Sequence, residues 1–60
     1  MQHRILLAFR KRLKNRGYTE ISIYQSKFHP QNYIVRAREP LSNQFITCEY
    51  PLLKFNELMR

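Results

Sequence analysis

"RKRLKNRGYTEISIY", residues Arg10 to Tyr24, holds the change of period on which the fold turns. Before Gly17, the single glycine of the chain, the residues are basic and compatible with a helix; after it they alternate and become β-branched. Reading backwards, residues 2 to 16 contain no Pro, Gly or acidic residue. At 100° per residue Ile5, Leu6, Phe9 and Leu13 fall within one arc of about 100°. The pattern predicts one amphipathic helix, ended by Gly17 in the left-handed conformation, with Arg16 placed to complement the helix C-terminus. His3, Arg4, Arg10, Lys11 and Lys14 occupy the opposite arc, with Leu7 stranded among them and Arg12 and Arg16 near the packed edge.

Reading forwards, Glu20 to Phe28 alternates, Ile21 and Ile23 on one side against Ser22, Tyr24 and Ser26 on the other, as a half-buried strand does. "HPQN", residues 29 to 32, is turn chemistry. Tyr33 to Glu39 reads as a second strand, Pro40 to Asn43 as a second turn, and Gln44 to Tyr50 as a third strand. Pro51 suits the first position of a short closing helix in which Leu52, Phe55, Leu58 and Met59 share one side. The expected fold class is therefore α+β: an N-terminal amphipathic helix, a three-stranded antiparallel meander and a short C-terminal helix (α-β-β-β-α). Both helices would form one layer over one sheet face. Residues 1–60 make a single small basic domain.

Parity sorts the strand residues. Tyr33, Val35 and Ala37 join Ile21 and Ile23 in the core only if the first loop has an odd number of residues, most simply Phe28 to Asn32. That register sets Tyr24 opposite Arg36 and Ser22 opposite Arg38. With Ile46, Cys48 and Tyr50 inward, the second hairpin pairs Ala37 with Ile46, Thr47 with Arg36, and Phe45 with Arg38. The open face would then carry Tyr24, Arg36, Arg38, Phe45 and Thr47, rings interleaved with guanidinium groups. Nucleic-acid surfaces use that mixture, since rings stack on bases while arginine forks grip phosphates or guanine edges.

Composition agrees. Eleven Lys and Arg stand against four Glu in 60 residues, a formal charge of +7 with a pI near 10.2. Such a field attracts polyanions, and on the helix no Glu interrupts the basic series to form stabilising pairs at spacing four. Arg10, Lys11, Lys14 and Arg16 are the helix's candidate contacts. With 43% apolar residues, including four Tyr and four Phe, the chain has enough to build one core.

Catalysis finds little support: four Glu and two His give no paired acids, no phosphate loop and no nucleophile with an orienting partner. Lone Cys48 reads as a small core residue in a reducing, cytoplasmic setting, and no metal ligand set or cofactor motif is present. No apolar run approaches the roughly 18 residues of a membrane span. The first helix is basic and amphipathic, as surface-seeking helices are, but its apolar stripe is needed to cover the sheet.

The order of elements resembles that of double-stranded-RNA-binding domains and of small ribonuclease toxins. The motifs depart from both: the last helix reads "PLLKFNELMR" rather than starting Lys-rich, and "SKFHPQN" stands where the toxins carry Gly-Ser-His. A three-stranded sheet reading a DNA major groove, as in the arm-binding domains of some integrases, resembles the open-face arrangement equally. The expectation is a non-enzymatic nucleic-acid-binding module, DNA ahead of RNA. Two alternatives stay open. One is a protein-interaction module, such as a homodimer through Tyr24, Ile34 and Phe45 or a modulator of an acidic host protein; the other is a ribonuclease using His29.

Overall fold

A computed structural model describes residues 3–59. Helix α1 spans His3–Asn15, strands β1, β2 and β3 span Thr19–Gln25, Asn32–Arg38 and Phe45–Pro51, and helix α2 spans Leu52–Leu58. The three strands form one antiparallel sheet in the order β1-β2-β3. The α-β-β-β-α, two-layer reading holds. Gln2, expected at the start of the first helix, lies outside the described residues.

Helix α1 stops where the glycine allows it. Gly17 takes φ +96°; its N–H bonds the Lys14 carbonyl at 3.1 Å and the Tyr18 N–H returns to the Leu13 carbonyl at 3.1 Å. Those two bonds satisfy carbonyls that the helix end would otherwise orphan. The reversal also brings Gly17 against the second turn: a Cβ there would lie 3.3 Å from that of Pro40.

Both helices pack on one face of the sheet. Leu6, Val35 and Phe55 form the buried centre, with Phe9, Leu13, Ile23, Tyr33 and Tyr50 against it. Phe55 is fully buried and meets the Phe9 and Tyr50 rings edge-on at 5.1 and 5.8 Å, the geometry that aligns ring edges with ring faces. The inward set, Ile21, Ile23, Tyr33, Val35, Ala37, Cys48 and Tyr50, follows the expected parity, with Val35 and Ala37 buried outright. Ile46 also faces the helices but stays 38% exposed, because the helix layer leaves that end of β3 uncovered.

Two details differ from the sequence reading. The second hairpin has the expected register, Ala37 with Ile46, Arg36 with Thr47, Arg38 with Phe45. In the first hairpin the parity is right but the rows slide by two: Ser22 faces Arg36, and Tyr24 faces Ile34 rather than Arg36. The cause is a turn closing one residue early. Buried Ser26 accepts the His29 N–H on its hydroxyl at 3.3 Å, its own N–H bonds the Asn32 carbonyl at 3.0 Å, and the Gln25 amide donates to the Pro30 carbonyl at 2.7 Å. Residues 27–31 thus form the loop, odd in number as parity demands. A bulge between Thr19 and Ser22, with Glu20 at φ 50°, absorbs the remaining mismatch. Pro51 caps α2 from an extended conformation, φ −65° and ψ 155°, instead of occupying its first turn.

Candidate nucleic-acid interface

Two surfaces on opposite layers were marked by the sequence, and the fold treats them differently. On the open sheet face Arg36 and Arg38 sit over the Phe45 ring, their guanidinium carbons 3.8 and 4.5 Å from its centroid. Neighbours on the same strand side, separated by one pleat, the two arginines both reach the ring across the β2–β3 register. Phe45 is thereby a platform for guanidinium groups more than a free stacking surface. Arg38 is further committed: it pairs with Glu20 through Nε and donates from Nη1 to the Asn43 carbonyl at 3.0 Å.

The bulge explains the Glu20–Arg38 pair. With Glu20 turned to φ 50°, its carboxylate reaches Arg38 across the irregular row, so the expected unpaired Arg38 is corrected to a half-exposed, ion-paired one. Tyr24 remains 48% exposed, but beside Ile34 and Glu49 rather than in Arg36's row. Thr47 is exposed next to Arg36. Arg36 alone of the expected sheet arginines carries no described carboxylate partner. The open strand face as a whole holds two arginines against two glutamates, Glu20 and Glu49.

Helix α1 presents the opposite case. Arg4, Arg10, Lys11, Lys14 and the following Arg16 are all exposed, with Leu7 64% exposed among them. Each of the four glutamates has its partner elsewhere. Glu20 holds Arg38, Glu39 accepts from the Ser42 hydroxyl at 2.7 Å, Glu49 accepts from Asn32 at 2.9 Å, and Glu57 meets Lys54 at 3.8 Å. Among the described residues no carboxylate pairs with an α1 cation. Arg12 turns away from this surface, donating to the Leu58 carbonyl at 3.3 Å and tying α1 to α2, and exposed Arg16 borders the same apolar hollow over β3 as Arg12 does.

The seam quoted at the outset becomes a shallow cleft of about 370 Å³ between the second half of α1 and the start of β1. Arg10 and Lys14 form its helix wall, Tyr18 and Glu20 stand opposite, and Gly17 lies at its floor. The Glu20 carboxylate is bonded to Arg38 and to neither of the two helix cations.

His29 sits exposed in the 27–31 loop and donates its backbone N–H to Ser26. No cluster of three potential metal ligands occurs among the described residues. The free thiol of Cys48 lies beside Tyr50 and, by hydrogen bonding and by its charge when ionised, pushes the tyrosine above its ordinary pKa of 10.0; partial burial adds to this. Tyr50 is therefore neutral throughout the physiological range.

The sequence reading missed Phe28. It is 88% exposed at the tip of the first hairpin, on a loop held by the Ser26, Gln25 and Asn32 bonds described above. Its place at the end of an alternating run concealed it, since alternation continues through Phe28 while the backbone has already left the ladder at Ser26.

No described helix is long and apolar enough to cross a membrane. Comparison with known family models, curated proteins and solved structures finds no match to this chain.

Proposed function

We propose that the protein binds nucleic acid, duplex DNA ahead of RNA, and that α1 makes the principal contact. One observation carries this: five exposed cations from Arg4 to Arg16 on one helix and its cap, with every glutamate of the chain engaged elsewhere. Unrelieved repulsion of this kind costs folding free energy, and a line of phosphates relieves it. The 13-residue helix is about 20 Å long. A B-form major groove about 12 Å wide admits a helix, whereas the A-form groove of RNA is too narrow and deep. Leu7, exposed amid the cations, supplies an apolar contact of the kind thymine methyl groups take.

The open face, Tyr24, Arg36, Arg38, Phe45 and Thr47, ranks second because Glu20 and Glu49 offset its charge. Fluorescence anisotropy with a labelled duplex separates the two surfaces. Lys11→Ala with Lys14→Ala is expected to weaken binding at least tenfold while leaving the melting temperature within a few degrees. Arg36→Ala with Arg38→Ala is expected to change affinity less than threefold. The reverse ranking would move the site to the sheet, and no measurable affinity for duplex or single strand would refute the reading.

A further inference from the structure

The charge census leaves the open sheet face without an assigned role, although it bears the most exposed aromatic side chain described, Phe28 at 88%. Tyr24, 48% exposed, and partly exposed Ile34 adjoin it. Between them lies a shallow hollow of about 290 Å³, closed on the far side by Glu49. The ring does not hang from a loose tip, since four hydrogen bonds brace the loop that carries it, the Asn32 N–H to the His29 carbonyl at 2.7 Å among them. Phe28, Tyr24 and Ile34 together form a contiguous exposed apolar patch, the kind of surface that interaction sites present.

We infer that a second copy of this chain docks on the open sheet face through a two-fold axis. Shape and charge both fit that occupant. A protruding ring beside a hollow is self-complementary under a two-fold: each Phe28 enters the hollow of the other copy. Arg36 and Glu49 occupy adjacent rows of neighbouring strands, the first without a described carboxylate partner and the second with one carboxylate oxygen bonded to Asn32. The same axis offers each Arg36 the other copy's Glu49.

Electrostatics favours this face over the helical one. Two copies at +7 each repel, yet the strand face sets Arg36 and Arg38 against Glu20 and Glu49, with Lys27 in the lining of the hollow as its further cation. Face-to-face stacking separates the two α1 helices by three layer spacings, on the order of 30 Å, well beyond a Debye length of about 8 Å. A polyanion would gain little here, because Glu20 and Glu49 stand among the arginines.

Seven residues by three strands cover about 23 Å by about 14 Å, which places the interface at the small, transient end of the range. The α1 surfaces of such a dimer point in opposite directions. Such a dimer would therefore join two separate duplexes rather than pair two copies on one.

Sedimentation without nucleic acid tests this independently of the function proposed above. Between about 10 µM and about 1 mM the weight-average mass is expected to climb from 7.4 kDa toward twice that value. Phe28→Ser and Tyr24→Lys, both at exposed positions, are expected to hold the chain monomeric. Arg36→Glu and Glu49→Arg are each expected to weaken association at least fivefold, and their combination to restore it. A monomer at the highest concentration, or singles and double that behave alike, would overturn the inference. So would a monomer that loses single-strand affinity on Phe28→Ser, which would give the face to unpaired bases instead.

Discussion

Single residues decide where this chain turns. Gly17 carries two constraints, a φ of +96° that side chains rarely adopt and a Cβ position 3.3 Å from Pro40. Gly17→Ala is therefore expected to lower stability by about 1–3 kcal/mol, read as a melting temperature at least about 4 °C lower; an unchanged midpoint would mean that the helix end repacks freely. This position was legible in the sequence, because a lone glycine between a basic helical run and an alternating run has few other uses. Glu20 was not. Nothing in "GYTEIS" announces a glutamate at φ 50°, and without that bulge Arg38 would have been counted as free charge. The fate of Arg38 depends on a backbone irregularity whose only sequence trace is an acid two residues before a serine.

At the level of elements, period and parity carried most of the information. The helix, the three strands and the inward set followed from the 3.6-residue and two-residue repeats. The second hairpin's register followed from the same parity. The two-row slide of the first hairpin did not, because Phe28 to Asn32 and residues 27–31 are both odd loops and hydrophobicity cannot distinguish them. Local hydrogen bonding at Ser26 decides, and it moved Tyr24 away from Arg36. Helix α2, only seven residues long, is held by packing rather than by its own propensity, and Phe55 is its anchor against Phe9 and Tyr50. Phe55→Ala is expected to cost about 3–5 kcal/mol. A domain of this size has roughly 3–9 kcal/mol in total, so the variant should be largely unfolded by circular dichroism at 37 °C. A cooperative transition near the parent midpoint would show that α2 is dispensable to the core.

Over the whole molecule, charge divides by layer. The helical layer holds most of the cations without carboxylate partners, while the sheet's outer face is balanced between arginine and glutamate. Composition alone could report the excess, but only the fold shows that it is segregated. Under the function and the dimer proposed for this chain, that separation assigns a polyanion to one side and a second copy to the other. The salt dependence of duplex binding addresses the helical surface most directly. With four or five phosphates met by Arg4, Arg10, Lys11, Lys14 and Arg16, log affinity is expected to fall with log salt at a slope of roughly −4. Lys11→Ala with Lys14→Ala should reduce that slope by about 2. A slope near zero, or one that the double substitution leaves untouched, would contradict the assignment of α1 as the phosphate-binding face.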